Sequence, residues 1–235
     1  MAELIALSKL HLKLASLVPD SKALSKRLNT ISRNVDCPHN ESEVLSFGID
    51  VLSFPRDIDG CIVEAGAYKG GSTAKISLFA KLAGREFIVF DSFEGLPANT
   101  EKHDKSILGH SIKETFAEGK FCGFLEEVKK NIERYGGVEV CTFVKGWFEE
   151  TLPMFSKKIA MIYLDVDLAS STKTCLKYLY PLVVPGGIIY SQDGDFPLVI
   201  EVFNDDKFWE NEVGCKKPDI EGLGKKKLLK IIKEN

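Results

Sequence analysis

Alternating apolar and amphipathic stretches divide most of the chain into short predicted strands and helices. Apolar runs that predict buried strands cover residues 61–64, 86–90, 138–144, 159–164 and 188–191. Runs with helical spacing follow them over residues 72–83, 123–135, 172–182 and 198–210. Strands that alternate with helices predict a parallel sheet with helices on both faces, which is an α/β fold. For the last apolar run, residues 227–232, we predict an edge strand, with a helix as the alternative.

The first forty residues have a helical pattern without a strand. Leucines recur at helical spacing over residues 3–18, and Pro19 ends that helix. Residues 20–39 are weakly helical and then loop, and Asn40 with Glu43 has the spacing of a capping box that opens a helix to about Phe54. We therefore predict an N-terminal helical extension, 1–40, and one α/β domain, 41–235. The apolar stripe of the extension packs on that domain or forms a homodimer.

The turn after the first predicted strand is rich in glycine. Residues 62–73 read Ile-Val-Glu-Ala-Gly-Ala-Tyr-Lys-Gly-Gly-Ser-Thr. Glycines admit a close ligand, and the N–H groups of the following helix N-terminus favour polar ligands. Tyr68 breaks the dinucleotide fingerprint, and Ser72 stands where a phosphate loop needs lysine. The remaining pattern, E-x-G-x-x-x-G-G, resembles the first loop of S-adenosylmethionine (SAM) methyltransferases. A glycine-rich turn without a ligand is the alternative.

Acidic residues follow four of the predicted strands, at Glu64, Asp91, Asp165 and Asp193. Ligands of parallel sheets lie beyond the carboxyl ends of the strands, so we expect these four acids at one edge. Glu64 can accept hydrogen bonds from a ligand amine or hydroxyl. Asp91 has the position of an acid that binds the ribose hydroxyls of an adenosine-type cofactor, with a helix N-cap as the alternative.

Two pairs of carboxylates have a spacing of two residues. Asp165 and Asp167 would point the same way if their strand continued that far, and Asp193 and Asp195 repeat the spacing. Oxygen-rich clusters suit a hard cation such as Mg²⁺. A bound metal would lower the pKa of a hydroxyl, and a neighbouring carboxylate would remove its proton. Ordinary loop acids that cap helices are the alternative.

Composition narrows the class of protein. A net charge of −3 over 235 residues gives no basic footprint for nucleic acid. The six cysteines are scattered without a C-x-x-C pair, which favours a reducing compartment and argues against a zinc site. No apolar run approaches the ~20 residues of a membrane helix, and residues 1–8 lack signal-peptide features. We therefore predict a cytoplasmic protein with neither nucleic acid nor membrane as a partner.

Longer motifs carry a resemblance to a known family. The glycine loop at 63–72 is followed by Phe-Asp-Ser-Phe-Glu-Gly-Leu-Pro at 90–97 and Gly-Trp-Phe-Glu-Glu-Thr-Leu-Pro at 146–153. Leu-Asp-Val-Asp-Leu at 164–168, Ser-Ser-Thr at 170–172 and Pro-Gly-Gly at 185–187 complete the set. In this order the motifs resemble the macrocin O-methyltransferase (TylF-type) family of SAM-dependent sugar O-methyltransferases. The second and third motifs are the distinctive ones.

The resemblance implies a class I SAM-dependent methyltransferase fold, which is Rossmann-like, with SAM as methyl donor. The expected cofactor-binding residues are Glu64, Gly66, Ala67, Tyr68, Gly70, Ser72, Thr73, Asp91, Ser92, Gly146, Trp147 and Asp165. Trp147 either packs the floor of the cofactor pocket or belongs to the core.

The resemblance also implies a divalent cation, usually Mg²⁺, held by Asp165 and by an acid pair that falls on Gln192 and Asp193. Gln192 departs from the family because it offers only a neutral oxygen, so we expect weaker metal binding, for which Asp195 could compensate. The position of the family's base matches Asp167. Ala169 replaces an aromatic residue of the family, which puts some acceptor contacts in doubt.

These features predict in-line transfer of the SAM methyl group to a hydroxyl of a sugar or glycan. The metal would hold the acceptor oxygens, Asp167 would take the proton, and a lid at about 97–121 would exclude water. His103 and His110 in that lid either touch substrate or are exposed. The alternatives are methylation of a catechol or phenol, a non-catalytic SAM-binding module of a glycan-assembly protein, and a nucleotide-binding oxidoreductase.

Overall fold

A computed structural model of the chain describes residues 2–102, 104–112 and 115–234. Within these ranges seven strands form one sheet in the order β3-β2-β1-β4-β5-β7-β6. The strands are β1 Cys61–Ala65, β2 Phe87–Asp91, β3 Cys141–Lys145, β4 Ile159–Leu164, β5 Val183–Ser191, β6 Ile220–Glu221 and β7 Leu229–Ile232. The first five strands are parallel, and β7 runs antiparallel to both β5 and β6. This is the α/β fold that the sequence predicts.

Helices cover both faces of the sheet. They are α1 Ala2–Leu17, α2 Ser21–Asn34, α3 Glu41–Ser53, α4 Gly71–Ala83, α5 Leu125–Tyr135, α6 Phe148–Thr151, α7 Ala169–Leu179, α8 Pro197–Asn204 and α9 Asp206–Phe208. In β1, Ile62 packs into the core under α1–α5, while Val63 packs into the core under α7 and α8. Such alternation on two apolar faces explains why the central strands are continuous apolar runs.

The N-terminal helices share a core with the sheet. Leu24, Leu28 and Ile31 are buried at helical spacing in α2, so residues 21–34 form a full helix where the sequence predicted only a weak one. Leu14 of α1 is fully buried in the same core. The predicted capping box is present, because the backbone N–H of Asn40 donates to the Glu43 carboxylate at 2.8 Å. The domain boundary after residue 40 stays a prediction.

The C-terminal half corrects several predicted boundaries. The strand predicted at 188–191 begins at Val183, because residues 184–187 bulge between the pairs Ile159–Val183 and Met161–Ile188. The predicted strand in the tail is β7, but it lies inside the sheet, hydrogen-bonded to β5 and to the short edge strand β6.

The predicted helix after β4 is displaced by three residues towards the N-terminus, and the predicted helix after β5 is shorter than expected. The helix expected at 172–182 is Ala169–Leu179, followed by a 3₁₀ turn over Tyr180–Leu182 that contains Pro181. The helix expected at 198–210 ends at Asn204, where Asp205 leaves helical geometry and caps the next short helix. Strand β3 begins at Cys141, after a 3₁₀ turn over Val138–Val140.

None of the described helices has the length and apolar character that crossing a bilayer would require.

The turn after β1 admits only glycine at residue 66. Gly66 has φ +90°, and a Cβ there would lie 1.9 Å from the carbonyl oxygen of Asp165. Gly84 also has a positive φ, +68°, but a Cβ there would meet nothing within 4 Å. A side chain would strain the backbone at both positions, and at residue 66 it would also clash with the Asp165 carbonyl.

We therefore expect Gly84→Ala to lower the free energy of unfolding by about 1–2 kcal/mol, the usual cost of a left-handed alanine. Gly66→Ala should cost clearly more, because β1 and β4 must move apart. Equilibrium unfolding in urea measures both values. Equal losses in the two variants would contradict this account of the turn.

Candidate active site

A cavity lies at the carboxyl ends of the parallel strands. It encloses about 740 Å³ of empty space, part of it open to solvent, which is a usual size for a small-molecule site. Eight residues predicted from the sequence line it: Gly66, Tyr68, Asp91, Ser92, Gly146, Trp147, Asp165 and Asp167. Pro38, Phe121, Glu149 and Ser171, which were not among the predicted site residues, line it as well.

Asp91 connects the end of β2 to the glycine-rich turn. One carboxylate oxygen accepts a hydrogen bond from the backbone N–H of Ala67, and the other accepts one from that of Phe93, both at 2.6 Å. Burial raises the pKa of Asp91, and these N–H groups act in the opposite direction. The carboxylate is therefore held in one orientation at the cavity wall, with lone pairs left for a further donor.

The other predicted residues of this turn lie behind the cavity wall. Ala67 and Gly70 are buried in the turn, and Gly70 has the left-handed conformation that starts α4. Ser72 and Thr73 are buried in the first turn of α4. None of these four residues, and not Glu64 either, lines the cavity.

Glu64 is a fully buried acid at the end of β1. Neither of its carboxylate oxygens has a hydrogen-bond partner among the described residues, and the Thr73 hydroxyl also lacks one. Burial raises the pKa of Glu64 to about 8, although the nearby hydroxyls of Ser72 and Thr73 lower it. The ligand-free protein therefore holds a carboxyl group that is mostly protonated at neutral pH.

Asp165, Asp167 and Asp193 form an acidic cluster beyond β4 and β5. One oxygen of Asp193 accepts hydrogen bonds from the backbone N–H groups of Val166, at 3.0 Å, and Asp167, at 3.1 Å. Strand β4 ends at Leu164, and Asp167 has φ +61°. Asp165 and Asp167 thus meet the cavity through a turn that Asp193 fixes, and not through a continuing strand.

Burial and the charges within this cluster shift the pKa values of its carboxyl groups. Burial, followed by the charges of Asp193 and Asp165, raises the pKa of Asp167 well above its usual range. Burial and the charge of Asp165 raise the pKa of Asp193 to about 7. Carboxylates with raised pKa values are better proton acceptors near neutral pH than ordinary ones.

His39 reaches this cluster from the loop between α2 and α3. Its Nε2 lies 2.7 Å from a carboxylate oxygen of Asp165, and its Nδ1 lies 3.4 Å from the Cys37 Sγ. Burial lowers the pKa of His39, but the Asp165 carboxylate outweighs it and the pKa lies well above the usual range. Conversely, His39 overcomes the effect of burial and lowers the pKa of Asp165. The pair is thus an ion pair, which the sequence analysis missed.

The predicted magnesium ligands are engaged in other contacts in this arrangement. Gln192 is fully buried, its amide nitrogen donates to the Tyr163 hydroxyl, and its amide oxygen has no partner. Neither Gln192 nor Asp193 lines the cavity, and one oxygen of Asp165 is bound to His39. Across residues 2–102, 104–112 and 115–234, no group of three or more His, Cys, Asp or Glu side chains is arranged to hold a metal ion.

Asp195 does not restore the site. It is buried, and one of its carboxylate oxygens has no hydrogen-bond partner within the described part of the chain. It does not line the cavity.

Of the described residues of the predicted lid, its two ends, Pro97 and Phe121, line the cavity. Its described residues form no helix or strand, apart from a bridge between Lys105 and Ser111. One of its attachments to the domain is Glu101, whose carboxylate accepts hydrogen bonds from the backbone N–H groups of Ala169, at 2.7 Å, and Ser170, at 2.8 Å. His110 is exposed, and His103 lies outside the described residues.

Comparison with known proteins decides the family. The family model for macrocin O-methyltransferase (TylF) matches residues 52–213. The chain belongs to this family. A relative from Streptomyces olivaceus, 8-demethyl-8-(2,3-dimethoxy-alpha-L-rhamnosyl)-tetracenomycin-C 4'-O-methyltransferase, is 35% identical over 144 residues, 58% of this chain and 53% of the relative. Demethyldecarbamoylnovobiocin O-methyltransferase from Streptomyces niveus is 30% identical over 146 residues, 59% of this chain and 54% of the relative. The chain thus spans about half the length of these curated relatives.

Solved structures of methyltransferases share the fold. The O-methyltransferase NovP superposes with a TM-score of 0.61 at 20% identity, over 92% of this chain and 81% of NovP. The calicheamicin methyltransferase CalS11 gives a TM-score of 0.63 at 19% identity, over 94% of this chain and 97% of CalS11. The predicted class I SAM-dependent methyltransferase fold is therefore confirmed for this macrocin O-methyltransferase family member.

The buried Glu64 should make the ligand-free protein less stable as pH rises. The folded state keeps this proton up to about pH 8, whereas the unfolded chain releases it near the ordinary value for glutamate. Between these values the unfolded state binds fewer protons, so the free energy of unfolding falls with rising pH. Glu64→Gln should remove up to about 1.4 kcal/mol of this loss per pH unit.

Urea unfolding at several pH values between 5 and 9 (about one unit apart) measures this slope. Glu133→Gln is the matched control, because Glu133 is exposed in α5 and should leave the slope as it is. A Glu64→Gln protein with the wild-type pH dependence would show that this group is not a source of the instability.

Proposed function

We propose that this chain is a SAM-dependent O-methyltransferase that methylates a hydroxyl group of a sugar or glycan. The observation that carries the proposal is a single cavity between the glycine-rich turn with Asp91 and the acidic turn with Asp167. A methyl donor and an alcohol have to meet in such a space. The sugar acceptor is supported by the relatives, one of which carries a rhamnosyl group in the name of its substrate.

On the cofactor side, Asp91 would receive the ribose hydroxyls of SAM. Its carboxylate is already fixed by two backbone N–H groups, so little further order is lost on binding. Gly66, Tyr68, Ser92, Gly146 and Trp147 would enclose the cofactor, since they line the same wall. When bound, SAM supplies a methyl group activated by a sulfonium.

The residues behind the wall would act on the shape of the cofactor site. Ala67 and Gly70 fix the turn, and Ser72 and Thr73 start α4 below it. In this layer the Glu64 carboxyl and the Thr73 hydroxyl lack a hydrogen-bond partner among the described residues, which suits an amine or hydroxyl of a ligand.

On the acceptor side, Asp167 would take the proton of the attacking hydroxyl. It lines the cavity, and its raised pKa suits a general base at neutral pH. Asp165 would help to orient Asp167, because the two residues lie in the same turn. The segment 97–121 would keep water out of the cavity.

The expected Mg²⁺ at Asp165, Gln192 and Asp193 is not part of this proposal, because Asp165 is paired with His39, the Gln192 amide donates to Tyr163, and neither Gln192 nor Asp193 lines the cavity. Two further proposals come from the sequence. A homodimer through α1 is supported by the exposed apolar side chains of Ile5, Leu12 and Leu17. A cytoplasmic location is supported by the six free cysteines, and the net charge of −3 argues against nucleic acid as a partner.

Removal of the Asp91 charge should weaken cofactor binding. We expect Asp91→Asn to raise the Kd for S-adenosylhomocysteine by at least about tenfold, the loss of a hydrogen bond to a charged group. Calorimetry measures this, with Asp59→Asn, an exposed acid away from the cavity, as the control. Binding of NAD instead of S-adenosylhomocysteine by the wild-type protein would support the oxidoreductase alternative.

Methyl transfer is tested by mass spectrometry of sugars, glycans and catechols incubated with SAM. We expect a product heavier by one CH₂ among the sugars or glycans. Asp167→Asn should lower kcat by about 10²–10⁴, the usual contribution of a general base, with the affinity for S-adenosylhomocysteine little changed. Asp219→Asn, an exposed acid, is the control.

Three results would count against the proposal. Methylation of catechols alone would favour a phenol methyltransferase. Cofactor binding without any product would favour a non-catalytic module. Unchanged turnover in Asp167→Asn would remove that residue as the base.

A further inference from the structure

We propose that His39 takes, at Asp165, the place of the divalent cation that the family resemblance implies, so that methyl transfer by this chain needs no bound metal. In this view His39 is a positioning residue, which acts on the acceptor through Asp165. Methyl transfer without a metal rests on the proposed function, whereas weak metal binding at Asp165 can be tested without any acceptor.

The first observation is the position of the imidazole. His39 Nε2 lies 2.7 Å from Asp165 Oδ2, and the side chains of the two residues are 2% and 20% exposed. The imidazole N–H occupies a lone pair of Asp165 Oδ2, so a metal ion would have to displace the ring or bind Asp165 beside it. Loss of either partner would leave a buried charge without compensation, so this pair is costly to break.

The second observation is that His39 is held from its other side. Its Nδ1 lies 3.4 Å from the Cys37 Sγ, which also accepts a hydrogen bond from Lys75 Nζ at 3.4 Å. The ring also packs edge-to-face against Tyr163, with 5.8 Å between ring centroids. These contacts fix the orientation of the imidazole, so it does not simply turn away when an ion arrives.

The third observation is that the remaining predicted ligands are engaged elsewhere. Gln192 has no charge, and its amide donates to the Tyr163 hydroxyl. The ring of the same tyrosine packs against His39. Asp193 uses one oxygen for the backbone N–H groups of Val166 and Asp167. Gln192 thus stands where the family has an acid, and the two remaining acids, Asp165 and Asp193, both have hydrogen-bond partners within the chain.

The test is Mn²⁺ binding by the full chain, followed by electron paramagnetic resonance with and without S-adenosylhomocysteine. We expect the wild-type protein to bind Mn²⁺ no more tightly than a Kd of about 10⁻³ M, the weak end of protein cation sites. Its turnover should be unchanged in EDTA. The double variant with His39→Asn and Gln192→Asp should gain at least about tenfold in Mn²⁺ affinity, since it frees Asp165 and restores the acid pair.

His11→Asn combined with Gln192→Asp is the matched control. His11 also pairs with a carboxylate, Glu41 at 3.2 Å, but at the surface of the protein. This control should gain less Mn²⁺ affinity than the variant that lacks His39, because Asp165 keeps its imidazole partner. Retained binding of S-adenosylhomocysteine verifies that each variant is folded.

A role in positioning predicts a separate kinetic result. His39→Asn should lower kcat by about tenfold or more while the KM for SAM changes little, because Asp165 loses its orientation and the cofactor wall is untouched. A lower melting temperature with normal kcat would mean that His39 is merely structural, and would overturn that role.

Two results would overturn the metal-free proposal. One is wild-type Mn²⁺ binding with a Kd of about 10⁻⁴ M or tighter, or turnover that EDTA abolishes and Mg²⁺ restores. The other is a folded double variant that binds Mn²⁺ no better than the wild type. If the double variant does not fold, the wild-type measurements decide alone. If no acceptor is ever methylated, the proposed function fails, but the Mn²⁺ result still decides the fate of His39.

Discussion

Both halves of the proposed site depend on one backbone contact between the turn after β1 and the turn after β4. Gly66 lies so close to the carbonyl of Asp165 that no side chain fits between them, and the Asp165 N–H donates to the Ala65 carbonyl at 3.0 Å. The contact is possible because β1 and β4 are neighbouring parallel strands whose carboxyl ends lie side by side. It brings the glycine-rich turn and the acidic turn together in the lining of one cavity.

Burying several acids at this edge of the sheet is electrostatically costly, and the fold compensates most of them with different hydrogen-bond partners. Asp91 is stabilised by backbone N–H groups, Asp165 by His39, and Asp193 by the N–H groups of the acidic turn. Glu64 has no such partner and instead holds its proton. Unpaired buried charge is costly, so each acid either has a donor or stays neutral in the absence of a ligand.

The sequence predicts the parallel part of this architecture well, for a physical reason. Strands buried on both faces are continuous apolar runs, and the topology of parallel sheets places the residues after them at one edge. Asp91 and Asp165 could therefore be assigned to the cavity wall before any coordinates. The boundaries fail where the pattern has local exceptions, as in the bulge at Pro185 and in the antiparallel strand β7.

Contacts that carry no periodic signal could not be predicted in this way. His39 lies 126 positions from Asp165, and Glu101 lies 68 positions from Ala169, yet each pair is in direct contact. In both cases a loop residue contacts the segment between the end of β4 and the start of α7. The sequence around that loop residue has no pattern that predicts the contact. Pro38, next to His39, lines the cavity. The N-terminal extension and the α/β domain thus differ in sequence pattern, but the candidate site belongs to both.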